Sequence, residues 1–439
     1  FPSAERRVYC TPVAPPTGFP LATEQNQASF NSRNLFADRF LLCRELRPSL
    51  SSPGGGTVET TVRYIHFHGH FMTPNYPARR AKLARELKKA EVDSLLISGL
   101  ANVRYLTGFT GDASWLFLSP KATVLLSDTR YETQLADECP GLDVEIRDAG
   151  STINDLAGKI VALAKSKRLG FEADHTSVTQ HGELQKKIET AELVATSGLV
   201  ERLREIKDKW ELEQIRTAIG YAERGLGVVR SSLHRDQTET EIRYLLEASM
   251  RSFGAAGTGF EPIVGVGATA ALPHAHAGDR KVSEHAVLLI DWGASTKSGY
   301  RSDLTRVLIT GKPTRQMQQV YETVLAAQQA AINAIRPGVK CADVDKIARD
   351  IIGRAGFAKY FGHGLGHGFG LEIHESVRIS PISKQEFEPG MVVTVEPGIY
   401  LPGKFGVRIE DDLLVTADGN EILSNLGREF DEAIVPFLA

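Results

Sequence analysis

Five residues in the C-terminal half of the chain carry the side chains best suited to chemistry: Asp291, Asp303, His367, Glu396 and Glu410. Their settings are LLIDWG, GYRSDLTR, HGLGHGFGLEIHE, VTVEPGIY and GVRIEDD. Four carboxylates and one imidazole gathered in a pocket hold too much negative charge to stay unpaired, and a pair of divalent cations is the simplest partner. This hard-to-borderline donor set suits Mn²⁺, Co²⁺, Fe²⁺ or Zn²⁺ better than Cu⁺ or a thiolate zinc site. A water held between two such ions loses a proton near neutral pH, so the set reads as a hydrolytic centre.

The placement of these acids is unusual. VLLI leads into Asp291 and VVTV into Glu396, and each acid is followed by one residue and a glycine. One apolar strand ending in an acid could simply be reaching solvent. Two with the same punctuation, and two more acids inside strand-like runs, argue against that, because strands are poor in acids and buried acids need partners. Arg306 and Arg408 offer plain salt bridges instead, a reading that suits Asp411 or Asp412 better than Glu410. In both halves a second carboxylate follows, Asp303 at +12 and Glu410 at +14, which suggests a pseudo-symmetric domain with metals on its axis. Between the halves, His363, His367 and His374 alternate with glycines that let backbone approach closely. ALPHAHAG adds His274 and His276, with a proline that fits a rigid loop tip before His274.

These side chains need elements to hold them. Residues from about 78 to 195 alternate helix and strand patterns, with VDSLLISG, SWLFLS, ATVLLSD and RLGFEA as short strands. LVERLREIKDKWELEQIRTAIGYAERGLGVVRSSL is helical, with a turn at Lys207–Asp208–Lys209. Thr238 and Glu241 form a capping box that opens a helix running to Met250. From about residue 258, glycine-punctuated hairpins take over: FEPIVGVG, AVLLIDWG and YRSDLTRVLIT. Two helical stretches follow, and then the strands MVVTVEPGIY and FGVRIEDDLLVT.

A chain of 439 residues with 42% apolar content can build two or three cores. Its net charge of −3 gives no electrostatic case for nucleic acid or an anionic membrane. Cys10, Cys43, Cys139 and Cys341 lack C-x-x-C spacing, which argues against a disulfide framework and for a reducing, cytoplasmic setting. Residues 1–71 contain no methionine, and order begins at Met72. Residues 1–71 are therefore expected to be a disordered extension or an overextended reading of the gene. His66, His68 and His70 in HFHGH read as incidental histidines of that segment.

From Met72 onward the motifs together resemble the creatinase/aminopeptidase P/prolidase family of pita-bread metallopeptidases. Within it they are nearest the Xaa-Pro peptidases, the Xaa-Pro aminopeptidases and Xaa-Pro dipeptidases. NVRYLTGFTGDASWLFL and LLSDTRY are similar to the family's first domain, RLREIKDKWELEQIRTA to its connecting helices. ALPHA, IDWG, GYRSDLTR, HGLGHGFGLEIHE, VEPGIY and VRIEDD occur in the family's order. The resemblance implies an α/β N-terminal domain over 72–198. An α+β pita-bread catalytic domain with pseudo-two-fold symmetry would follow over 199–439. It implies that Asp291 chelates one metal, that Asp303 and Glu410 bridge both, and that His367 and Glu396 complete the other. Glu396 would also shuttle a proton, His274 and His374 would act on the substrate, and His363 and Arg408 would stand beside it. Two divalent ions, Mn²⁺ foremost with Co²⁺ or Zn²⁺ as alternatives, small peptides with proline at the second position, and a homodimer are implied as well. One departure is visible: Asp291 and Asp303 are twelve positions apart, where the family usually has eleven. The extra residue falls in GASTKSG, a hairpin turn where insertions are tolerated. The alternative on the same fold is a non-catalytic, peptide- or partner-binding pseudo-peptidase, which would go with lost ligands or added basic tails; neither occurs here.

Overall fold

The computed structural model describes residues 73–438. The expectations for residues 1–71, with the HFHGH histidines, Cys10 and Cys43, and the start at Met72 lie outside the described residues.

The first domain is built on a six-stranded sheet in the order Asp143–Ile146, Thr123–Ser127, Trp115–Leu118, Ser94–Ile97, Arg168–Glu172, Glu192–Thr196. Trp115–Leu118 runs antiparallel to both neighbours, and the remaining pairings are parallel. Successive strand residues point to opposite faces, and here both faces are buried. Leu96, Trp115, Phe117 and Leu126 meet Leu156 and Ile160 of helix Ile153–Leu163. The alternate residues Leu95, Ile97, Leu116 and Leu118 enter a larger core that continues through Ile215, Ile219 and Leu226 to Leu288, Ile290 and Trp292. The first domain and the catalytic strands thus share one hydrophobic core. The two outermost strands are absent from the sequence-based expectation: Asp143–Ile146 alternates exposed and half-buried residues, and Glu192–Thr196 is half exposed with an apolar run of only three residues.

The connection is a short helix, Glu201–Glu205, then a long one, Lys209–Ser232. Asp208 caps the long helix, its carboxylate accepting from the Glu211 N–H while Glu211 accepts from the Asp208 N–H. Arg79, on helix Tyr76–Glu86, pairs with both acids at 2.7 and 3.1 Å and so fastens the first domain to the connection. Thr238 and Glu241 form the expected capping box before helix Glu239–Ser252.

In the catalytic domain, strands Ile263–Val266, Val287–Trp292 and Leu304–Ile309 make an antiparallel sheet. Val287, Leu289, Val307 and Ile309 face helices Arg315–Ala334 and Cys341–Arg354, sharing a core with Val320, Val324 and Val344. A second hairpin pairs Val392–Val395 with Asp411–Val415 and Gly398–Leu401 with Phe405–Arg408. A single register runs through both stretches, since Val395 faces Asp411 and Gly398 faces Arg408. That register sets Glu396 opposite Glu410 in the unpaired gap. A bridge between Thr305 and Glu410 joins the two hairpins. No helix among the described residues is long and apolar enough to cross a membrane.

Candidate metal centre

Asp291 lies on the same strand face as Val287 and Leu289, directly opposite Thr305. Asp303 precedes Leu304 by one residue and shares the face of Thr305, Val307 and Ile309. The apolar row that faces the helices therefore ends in acids. Between the two aspartates the chain turns at Thr296–Tyr300, where Gly299 has φ +89° and the Thr296 N–H donates to the Tyr300 carbonyl at 2.9 Å. The strands stay paired on both sides of that turn, with Ser295 bridged to Arg301 and Leu304 opposite Trp292. Gly293 faces Asp303 across the hairpin, and a Cβ there would lie 1.9 Å from the Ser302 carbonyl oxygen. This explains the glycine two residues after Asp291.

His367 lies on the two-residue strand Gly366–His367, beside Val392–Val395. A Cβ on Gly366 would come 2.1 Å from the Thr394 carbonyl oxygen, so only glycine lets the histidine segment approach so closely. The His367 N–H donates to Thr394 Oγ1, and the Glu396 N–H donates to the Leu365 carbonyl. His367 Nδ1 lies 3.2 Å from the Gly368 carbonyl and donates to it, which leaves the Nε2 lone pair free. Burial holds this imidazole neutral, pushing its pKa down to about 3. Nε2 stands 3.5 Å from Asp303 Oδ2 and 3.4 Å from Glu396 Oε1.

All four carboxyls are pushed upward in pKa, first by burial; for Asp303 and Glu410 the neighbouring acids push further. Glu396 is raised to about 8. Among the described residues, the one cation paired with them is Arg408, which meets Asp291. The Arg408 Nε also donates to Thr305 Oγ1 at 3.0 Å, and the Thr305 hydroxyl donates to Glu410 Oε2 at 2.6 Å. A third Arg408 donor reaches the Tyr400 hydroxyl at 2.7 Å. Tyr400 in turn lies 3.0 Å from His363 Nε2, and His363 Nδ1 donates to the Gly364 carbonyl at 2.7 Å. Burial lowers the His363 pKa to about 4, so its neutral ring accepts the Tyr400 proton.

The donor set fits divalent metal. One oxygen or nitrogen each from Asp303, His367 and Glu410 lie within 4.8 Å of one another. Asp291 Oδ1 is buried without any hydrogen-bond partner. Four buried acids facing one guanidinium are short of positive charge, which cations supply. All nine residues singled out in the sequence for the site line one cavity of about 600 Å³, including His274, His363, His374 and Arg408. His276 and Glu261 stand at the same cavity, 3.9 Å apart. Phe260, Ile263, Pro273 and Ile373 supply an apolar wall. The His367 and His374 rings meet edge to face, 4.4 Å apart.

Sequence reasoning missed Thr305 and Tyr400, although both sit inside quoted motifs. Their importance comes from what they bridge, and neither residue type signals chemistry by itself. Of the two acids after Glu410, Asp411 is an ion-pair residue, bound to Arg306 at 2.7 Å and Arg428 at 3.1 Å. Asp412 is not; it accepts from the Asp303 N–H and keeps its other oxygen unpartnered.

Comparison with known proteins agrees with this geometry. The profile of metallopeptidase family M24 matches residues 213–417, and that of the creatinase/prolidase N-terminal domain matches residues 79–206. The uncharacterized peptidase YqhT of Bacillus subtilis is 36% identical over 348 residues, covering 79% of this chain and 98% of its own. Among solved structures, the Xaa-Pro dipeptidase from Bacillus anthracis is 34% identical with a TM-score of 0.78, covering 83% of this chain and all of its own. The X-Pro aminopeptidase from Thermotoga maritima is 35% identical with a TM-score of 0.73, covering 80% and 99%. An α/β domain of creatinase type, a pita-bread domain behind it and the match to its relatives place the chain in metallopeptidase family M24.

Proposed function

We propose that this peptidase cleaves the Xaa-Pro bond at the N-terminus of small peptides, using two divalent ions, Mn²⁺ foremost, and working as a homodimer. The observation that carries the reading is the buried Asp303–His367–Glu410 triad, with Asp291 and Glu396 on the same cavity. Asp291 would hold one ion, Asp303 and Glu410 would lie between both, and His367 Nε2 and Glu396 would hold the other. When bound, the ions supply Lewis acidity and activate water near neutral pH. The chain's own residues do the remaining work. Glu396 takes a proton from the attacking water at a carboxylate oxygen and passes it toward the proline nitrogen that leaves. His274 and His374 contact the peptide and stabilise charge that develops on the scissile carbonyl. Arg408, Tyr400 and His363 hold the acids in place, and the wall of Phe260, Pro273 and Ile373 offers a proline ring an apolar surface. Relatives named for both dipeptide and aminopeptide substrates support proline specificity, and the length of peptide accepted is open to measurement.

The test strips the full chain of metal and restores Mn²⁺, Co²⁺ or Zn²⁺ in turn. Hydrolysis is then followed for an Xaa-Pro dipeptide, an Xaa-Pro-Xaa peptide and an Xaa-Ala control. Metal-dependent cleavage of the proline peptides alone is expected, and the ratio between the first two names the subtype. Equal cleavage of the alanine control would sink the proline assignment; stoichiometric metal binding without turnover would move the substrate elsewhere.

A further inference from the structure

Glu375 is absent from every role above, yet it is the residue next to His374 and is buried. Its carboxylate meets two buried cations, both from the connection between the domains. Oε1 accepts from Arg204 at 2.6 Å, and Oε2 accepts from Lys207 at 2.9 Å. The same Oε1 accepts from the Leu371 N–H at 3.1 Å, and the Glu375 N–H donates to the Gly368 carbonyl at 2.7 Å. One residue therefore ties together both limbs of the loop that starts at His367 and presents His374. Gly370 leaves room for it: a Cβ there would stand 2.9 Å from Oε1.

The other ends of these contacts lie outside the site. Arg204 also donates to Asn102 Oδ1 at 2.8 Å, on helix Leu100–Thr107 of the first domain, and pairs with Glu372 at 2.9 Å. The Lys207 N–H is bonded to the Gly390 carbonyl. Among the described residues, Lys207 makes its one ion pair with Glu375. A buried lysine of this kind depends on its carboxylate, and a neutral replacement leaves it uncompensated.

We propose that Glu375 is a positioning residue. Clamped by Arg204 and Lys207, it sets the loop that carries His374, so that the substrate histidine is placed by the connection between the two domains. This rests on the reading of His374 as a substrate contact. The chemical logic is one of geometry, since a displacement of about 1 Å can cost on the order of 100-fold in rate.

The experiment uses the full, metal-loaded chain as Glu375→Gln, Lys207→Met and the double variant. In Glu375→Gln the amide nitrogen faces the Lys207 ammonium, donor against donor; adding Lys207→Met removes that conflict. Glu375→Gln is expected to keep the wild-type metal content and to lower kcat for an Xaa-Pro peptide by roughly 10- to 100-fold, with KM changed far less. Amide exchange over residues 366–377 should speed up; Lys207→Met, which opens the clamp from its other end, should shift both readouts the same way, and the double variant, free of the unpaired buried lysine, should stay slow and loose. Exchange needs no substrate, so it judges the clamp even if the protein cleaves some other bond. If Glu375→Gln fails to fold, the double variant and Lys207→Met carry the test. Unchanged kcat and unchanged exchange in folded Glu375→Gln would overturn the proposal. So would a fall in thermal stability alone, or a double variant with wild-type kcat and exchange, which would trace the defect to the unpaired lysine.

Discussion

Among the described residues, two places bring three metal-ligand side chains within 4.8 Å: Asp303, His367 and Glu410 in the cavity, and Glu172, His175 and Glu201 where the first domain meets the connection. By proximity they are equivalent; by hydrogen bonding they are opposites. Glu172 accepts from the Ser98 and Gly99 N–H groups and from Asn102, each at 2.7 Å. Glu201 accepts from His175 at 2.9 Å and also from Asn102. Burial works against the Glu201 charge, but His175 and Asn102 overcome it and hold the carboxyl down at about 2. Glu172 stays raised by its burial, as the cavity acids are, so the clusters differ in their donors and not in every pKa. Asp303 is raised, first by burial and then by Glu410, and one oxygen of Asp291 has no hydrogen-bond partner among the described residues. A cluster of acids and histidine is complete when its own donors satisfy it, and it calls for a cation when they do not. The first domain's cluster is a latch, and the cavity's is a cation site.

The sharpest way to break this comparison is to neutralise one acid of each cluster. Asp303→Asn keeps the shape and removes a carboxylate of the buried Asp303–His367–Glu410 cluster. It is expected to lose bound metal, read by elemental analysis, and to lower kcat/KM by more than about a thousandfold, as removal of several kcal/mol of charge stabilisation requires. Metal content that survives Asp303→Asn would show the ligand assignment to be wrong. A smaller effect is expected from chelation of the wild type. A ligand present at 100 times its Kd stabilises by about 2.7 kcal/mol, so stripping metal should lower Tm by a few degrees and re-addition should restore it. A Tm indifferent to chelator would mean that no cation offsets the buried acids.

Much of this was legible in the sequence. An acid ending an apolar strand is a local pattern, and Asp291 and Glu396 stood out by it; Asp303 and Glu410 stood out as acids inside strand-like runs. The capping box at Thr238 follows from residue types three positions apart, which is why that helix start could be read; at Asp208 only the turn was read, and the structure adds the box with Glu211. What escaped depends on partners far along the chain. Thr305 matters because it joins Arg408 to Glu410, some hundred residues away. Glu375 matters because Arg204 and Lys207 return to it from the far side of the chain. The edge strand Asp143–Ile146 alternates exposed and half-buried residues, so no apolar run betrays it. The echo of DWG and EPG was visible, but the halves differ in register: Asp291 faces Thr305, whereas Glu396 faces Glu410. Pattern alone does not report register.

The gentlest test concerns the latch, where pH separates it from the cation site. Glu201 has a folded pKa below its unfolded value, so its contribution is present above the unfolded range and is lost as pH falls from about 4.5 toward 2. His175 is raised, first by its hydrogen bond to Glu201, so its contribution is present below about 6.5 and is lost as pH rises through its folded pKa. The latch is therefore strongest between those limits. Glu201→Gln should cost about 1–3 kcal/mol there and flatten both flanks of the stability–pH curve, measured by denaturant unfolding. Bound metal should stay at the wild-type level. If Glu201→Gln instead releases an ion, the latch is a metal site after all, and counting unsatisfied donors has failed to tell the two clusters apart.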